Sequence, residues 1–527
     1  MKLNKAILDN QDFLAINQIK QPLFNIEEVK KNTKERPTYL HFGAGNIFKV
    51  FLARRYQELL NHNLIDTGII SVETYDDEIV DLVNNKTDNL NLAVLMAEDG
   101  SLDLSIVASI VASLKASSQY QEIKEIFTKE SLQIVSYTIT EKAYQITDSN
   151  GKLLKIIEED LKRKDNQLQH VMSITCSLLY HRFKSCNKAL TILSLDNCSH
   201  NGDKIKKAIL SIANIWLKES RVSSEFISYL ENKVTFPISM IDKITPRPSK
   251  LVQKKLEAIG FKQLDLITTS KNSFVAPFVN AEVSEYLVIE DKFANGRCPL
   301  EKVGVLFTDY QTVNDVETMK VTTCLNPLHT AMAVVGCLLN YKTISDETND
   351  PTIMNLIKTI GYKEGLPVVC DPKIINPKDF IDEVINKRLT NPNIPDTPQR
   401  IATDTSMKIA IRFGNTIKSY QRLGLDLNSL EGIPLAIAAW FRYLVAIDDF
   451  NNHFELSSDI MAQEIIDNFK NIKIGDVKSI THLLSNPEIM GLDLTQTPLA
   501  DKINLYFNMM LKEEGGVRKT IDLVLKC

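Results

Sequence analysis

The segment KVTTCLNPLHT, residues 320–330, sets Lys320, Thr323, Asn326 and His329 into otherwise apolar sequence. These residue types can move a proton and hold an oxygen. A lysine whose pKa is brought toward neutrality, by burial or by a neighbouring cation, serves as general acid or base. An amide and an imidazole within hydrogen-bond reach stabilise partial charge on an oxygen whose bond order is changing. A neutral imidazole suffices, because one ring nitrogen still carries a proton to donate. Each residue also has a structural use. Asn326 followed by Pro327 suits the cap and first position of a helix. His329 suits a satisfied place on the apolar stretch LHTAMAVVG, and most lysines are solvated.

The spacing sets a condition on the backbone. A continuous α-helix at roughly 100° per residue leaves Lys320 and Asn326 about 120° apart. An extended segment would put Lys320, Thr322, Cys324 and Asn326 on one side. A helix starting at Pro327, with Asn326 as its cap, therefore works with Lys320 only if the preceding segment is non-helical or bulged.

A second group of residues lies near the N-terminus. YLHFGAGNIFKVF places Gly43 and Gly45 after an apolar run and before a helical pattern. The first glycine permits a tight turn, and the second lets backbone approach a pyrophosphate at a helix N-terminus. Asn46, Ile47 and Phe48 complete the turn. Phe48 stands where the dinucleotide fingerprint has its third glycine, which predicts a wider helix placement. IISVE ends at Glu73, where an acid can bind ribose hydroxyls and disfavour a 2′-phosphate, so NAD is expected over NADP. Asp76 and Asp77 are nearby alternatives.

The elements that must hold these residues follow from pattern. RPTYLHF, DTGIISVE, QIVSYTITEK and LTILSLDNCS read as strands, with helical stretches such as SSQYQEIKEIFTKE between them. That alternation indicates βαβ units on a parallel sheet. EVSEYLVIED, residues 282–291, reads as one more strand, carrying the sheet-bearing region to about residue 315. Beyond Pro327, HTAMAVVGCLLNY and PLAIAAWFRYLVAI carry apolar residues at three- and four-residue spacing, predicting a mainly helical half. No repeat or low-complexity linker separates the halves, which predicts closely packed domains with a cleft between them.

Composition limits the alternatives. The chain has 527 residues, too many for one ordinary core. With 44% hydrophobic and 24% charged residues it has a globular composition, and a net charge of −5 gives no general attraction to nucleic acid or anionic membrane. No unbroken apolar run approaches the ~18 residues that span a bilayer, and the N-terminus lacks a signal-peptide core. A cytoplasmic location is expected. The eight cysteines form no CxxC pair and the eight histidines no HExxH, so catalysis is expected to run without a metal.

HFGAGNIF, YTITEKAY, SLDNCSHNG, SMIDKITP and CLNPLHTA occur in an order that resembles the mannitol dehydrogenase family of long-chain polyol and hexuronate dehydrogenases. RLTNPNIPDTPQRIATDTSMK resembles the family's RF-x-NP-x-I-x-D stretch followed by its S-x-K/R element. The resemblance implies an α/β chain: a Rossmann-type dinucleotide-binding domain with a mostly parallel sheet over residues 1–315, then a mainly α-helical substrate domain over 316–527. It implies metal-independent hydride transfer between NAD and an open-chain sugar acid or polyol.

By position, the resemblance makes Lys320 the general acid/base and Asn326 and His329 the pair that polarises the reacting oxygen. Asn197 and Asp242 fall on further active-site positions. Thr140, Glu141 and Lys142 match a segment bordering the nicotinamide, and Lys408 matches a basic substrate contact. Three departures stand out. The family separates its lysine from the asparagine by five positions, here six; its DRITP is DKITP here; and its small residues between asparagine and histidine are Pro327 and Leu328 here. Lys243, Arg247, Lys408 and Arg412 could pair with a substrate carboxylate, which favours a hexuronate, fructuronate to mannonate or tagaturonate to altronate, over mannitol. A non-catalytic nucleotide- or sugar-binding member is the reading from another class. Oligomeric state is not legible.

Overall fold

The apolar runs YLHF, IISVE, IVSY and LTILS form strands in which every residue is buried. A parallel sheet covered on both faces leaves no side for polar residues, so its strands read as continuous hydrophobic runs. The computed structural model describes residues 1–394 and 396–526. They divide into two units, Met1–Ala97 with Ser101–Asn314, and Glu98–Gly100 with the chain from Asp315 onward.

The first unit is built on six strands: β1 (Tyr39–Phe42), β2 (Ile69–Glu73), β3 (Ile110–Lys115), β4 (Ile134–Tyr137), β5 (Leu190–Ser194) and β6 (Val234–Thr235). Their order is β3-β2-β1-β4-β5-β6, and every neighbouring pair is parallel. This is the doubly wound order of dinucleotide-binding domains. Phe42 lies opposite both Val72 and Tyr137, so β1, β2 and β4 end level with one another. The strand order reverses at β1, and the crevice outside those carboxyl ends is where such sheets take ligands.

The strand expected over 282–291 exists as Tyr286–Glu290, but it does not extend this sheet. It runs antiparallel to Ser239–Asp242 and parallel to Leu306–Thr308 in a separate three-stranded sheet, with Tyr286 opposite Asp242. The antiparallel partner is what separates it from the all-parallel sheet.

Phe48 is accommodated by a local change of helix type. Phe48–Leu52 forms a π-turn before the α-helix Ala53–Asn61. The buried Phe48 ring stacks on His41 of β1 at 3.8 Å and 9°. A π-turn widens the helix locally, giving a bulky side chain the room a glycine would not need.

The second unit is helical. The Asn326–Leu338 and Gly432–Tyr443 helices pack together and are buried on nearly all sides, so neither has a polar stripe. One helical stretch, Tyr310–Leu338, is long and apolar enough on average to cross a membrane, but 78% of its most apolar window is buried inside the protein. None of the described cysteines forms a disulfide.

Candidate active site

In the first unit the glycine turn follows β1 directly. Gly43 has φ +99°, and a Cβ there would lie 2.1 Å from the Thr138 carbonyl oxygen, so only glycine fits. At Gly45 a Cβ would meet nothing within 4 Å, which leaves an open cradle above the backbone. Glu73 lies buried at the end of β2. Its carboxylate accepts from the N–H groups of Ala44 (3.0 Å), Thr74 (3.0 Å), Tyr75 (2.9 Å) and Asp76 (3.3 Å). It thereby ties the glycine turn to the β2 terminus. The alternative acids are engaged elsewhere: Asp76 accepts from Thr269 Oγ1 at 2.5 Å and Asp77 from Ser117 Oγ at 2.5 Å. Asn46 donates to the Phe274 carbonyl at 3.2 Å, while Ile47 is half-buried in the turn.

Thr138 leaves β4 beside Gly43 and leads to Thr140, Glu141 and Lys142, all exposed. Glu141 pairs with Lys204 at 2.5 Å. Asn197 lies exposed on the turn after β5, and Asp242 is buried at the end of its strand. Asn201 joins these two places: its amide donates to the Asp196 and Ser239 carbonyls, each at 3.0 Å, and accepts from the Ser239 N–H at 2.9 Å. Lys243, expected to meet a substrate carboxylate, is committed inside the protein. Its buried ammonium pairs with Glu285 at 2.7 Å and donates to the Glu282 carbonyl at 2.6 Å. Glu285 also binds Arg54 and Arg55.

In the second unit Lys320 is 4% exposed, which excludes a solvated surface lysine. Lys320–Cys324 is a π-turn, closed by the Leu325 N–H donating to the Lys320 carbonyl at 3.1 Å. The bulge demanded by the six-residue spacing is therefore present, as a wide helical turn and not as an extended segment. The helix start is shifted by one residue from expectation. The first bond of the Asn326–Leu338 helix runs from the His329 N–H to the Leu325 carbonyl at 3.0 Å, so Leu325 takes the cap position. Asn326 and Pro327 are the first two helical residues, and the Asn326 amide is not spent on capping.

His329 retains 17% of its side-chain surface and faces Asp396 at 3.9 Å. Burial lowers its pKa to about 4 against the opposing pull of Asp396, so the imidazole is neutral near pH 7. Arg412, itself on a π-turn (Ala410–Gly414), donates to the Asn326 carbonyl at 3.4 Å and to the Thr330 hydroxyl. Burial brings its pKa down to about 10. Lys408 donates to the carbonyls of Ile401 (2.9 Å) and Thr403, and burial and the Arg412 charge lower its pKa to about 8. The second unit thus gathers Asn326, His329 and Arg412 at one helix N-terminus.

The mannitol dehydrogenase Rossmann domain matches residues 37–302, and the mannitol dehydrogenase C-terminal domain matches residues 312–509. This chain belongs to the mannitol dehydrogenase family. It is 45% identical to the D-mannonate oxidoreductase of Thermotoga maritima over 100% of this chain and 99% of that one. Among solved structures, a D-sorbitol dehydrogenase in substrate-free form superposes with a TM-score of 0.83 at 25% identity, covering 99% of this chain and 100% of that one. The Pseudomonas fluorescens mannitol 2-dehydrogenase ternary complex with NAD and D-mannitol superposes with a TM-score of 0.73 at 27% identity, each chain covered completely.

Two further residues of this family member emerge only in three dimensions. Asp396 faces His329 and is bound through two nitrogens of Arg400, at 2.6 and 2.5 Å. Its signal was the final acid of NPNIPD, within a stretch already matched to the family pattern. Asp196, the neighbour of Asn197, accepts from the backbone of the β4 loop, and no spacing rule marks it.

Proposed function

We propose that the chain is an NAD-dependent oxidoreductase that interconverts a ketohexuronate and its aldonate, with fructuronate and D-mannonate as the first pair. The observation that carries this reading is the full-length 45% identity to a D-mannonate oxidoreductase. The half-buried Arg412 and Lys408 add cationic groups suited to a substrate carboxylate.

The nucleotide-binding half suits NAD: Gly43 makes the turn, Gly45 leaves backbone open to a pyrophosphate, and the Glu73 carboxylate disfavours a 2′-phosphate. Bound NADH supplies the hydride. The neutral His329 donates one N–H to the substrate carbonyl oxygen, and the Asn326 amide donates beside it. As negative charge grows on that oxygen, the Lys320 ammonium delivers its proton there, and the alcohol forms. In the reverse direction Lys320 removes the hydroxyl proton. By their family positions, Asn197 and Asp242 are proposed as substrate contacts and Thr140–Lys142 as the nicotinamide edge of the nucleotide-binding unit.

Polyol oxidation is the second reading, favoured by the likeness to a structure holding NAD and D-mannitol. Following NADH absorbance with purified protein separates the two. Fructuronate or tagaturonate should oxidise NADH with fructose barely active, and the opposite ranking would overturn the hexuronate assignment. No turnover on any of these would leave a binding protein instead.

A further inference from the structure

Thr140 has φ +72° and ψ 153°, a combination almost confined to glycine and costly for a β-branched residue. Something must hold it there. The Asp196 carboxylate accepts from the Ile139 N–H at 3.0 Å and from the Thr140 N–H at 2.9 Å, which fixes the peptide groups on the N-terminal side of the strained residue. Tyr144, at the far end of the same loop, donates its hydroxyl to the other carboxylate oxygen at 2.5 Å and is itself linked to Ser194 at 2.7 Å. The Asp196 carbonyl is in turn bound by Asn201 at 3.0 Å. One side chain therefore clamps the loop after β4 from both ends, and its own backbone is anchored.

The position of that loop gives the clamp its consequence. Thr138 begins it and touches the obligatory Gly43, at the point where the strand order reverses and ligands enter such sheets. Asn197 follows Asp196 directly in the chain. We infer that Asp196 is a positioning residue for the cofactor: by holding Thr140 in its left-handed backbone conformation it shapes the edge of the nucleotide crevice, and it fixes the turn bearing Asn197 to the same loop. The inference rests on the NAD reading above. Asp196 itself need touch neither cofactor nor substrate.

The test is a double-mutant cycle on the full-length protein, read by equilibrium NADH fluorescence. Asp196→Ala with Thr140 in place should weaken NADH binding roughly tenfold to a hundredfold, the scale of charge-assisted hydrogen bonds and local strain released together. With Thr140→Gly the backbone adopts the same conformation without being forced, so Asp196→Ala should then cost no more than about threefold. Equal losses in the two backgrounds would overturn the inference, since Asp196 would then act on something other than the Thr140 backbone. If the alanine variants fail to fold, Asp196→Asn in the same cycle carries the comparison. A loss with Thr140 in place that is equal to or smaller than the loss alongside Thr140→Gly then counts against the clamp. Wild-type protein that does not bind NADH at all would sink the cofactor reading itself, and the inference with it.

Discussion

At the scale of single residues, Lys320 and Lys408 are both withdrawn from bulk water but have different expected signatures. Lys320→Ala removes the proposed proton carrier. Its kcat should fall at least about a hundredfold in steady-state assays, while NADH binding stays near wild type. Unchanged turnover would exclude Lys320 as the acid/base. Lys408 has its pKa lowered to about 8 by burial, so its ammonium is charged below that pH and lost above it. If it pairs with the substrate carboxylate, KM for a hexuronate should rise as pH climbs through about 8. Lys408→Met should raise KM at neutral pH and abolish that further rise. His329 contributes no inflection there, because its pKa near 4 leaves it neutral throughout the range.

At the scale of elements, π-turns carry much of the positioning. They hold Phe48, Lys320 and Arg412. Such turns are uncommon and recur at functional sites, because the wider turn re-aims side chains that a regular helix would point elsewhere. Another, Thr359–Gly365, supplies Glu364, whose carboxylate accepts from the N–H groups of Glu431 (2.6 Å), Gly432 (2.6 Å) and Ile433 (2.8 Å). It satisfies the start of the buried Gly432–Tyr443 helix from outside the local chain. Burial raises the Glu364 pKa from 4.5 to about 7, against the pull of those three donors. A raised carboxyl pKa means the folded state binds the proton more tightly than the unfolded state. Glu364 therefore contributes a stability term that declines as pH rises from about 4.5 to about 7. Denaturant midpoints across that range should show this slope in wild type and lose it in Glu364→Gln. An identical slope in both would assign the effect to other groups.

For the whole molecule, the first half provides the nucleotide fold and the second half the helical environment of the candidate acid/base, so cofactor binding can be read apart from turnover. NADH at about a hundredfold its Kd should stabilise the folded protein by about 2.7 kcal/mol, visible as a rise in Tm. If the Glu73 carboxylate is the acid that discriminates against a 2′-phosphate, NADPH at the same concentration should raise Tm less. Equal shifts would remove Glu73 as the discriminating acid. The membrane-length stretch Tyr310–Leu338 also belongs at this scale. Its apolar character is explained by burial within the fold, 78% of the window, which composition alone does not reveal.

Some features were determined by the sequence itself. Apolar runs separated by helical patterns specify a parallel sheet because both its faces must be covered, and the four main strands lie where those runs are. Gly43 was legible because a left-handed turn against a neighbouring carbonyl tolerates no Cβ, and the glycine recurs in the right place after the first strand. The order of motifs identified the family. Other features were decided only by tertiary contact. Whether Lys320 was solvated or buried, and whether six residues could separate it from Asn326, depended on a π-turn that has no local sequence code. Lys243 looked available until Glu285, far along the chain, proved to hold it. The role of Asp196 depends on peptide groups more than fifty residues away. Short-range patterns record which face of an element is apolar and which turns need glycine, since those are local steric and solvation effects. They do not record which distant polar group a buried side chain will meet, and here that pairing separates residues placed for chemistry from those held in the frame.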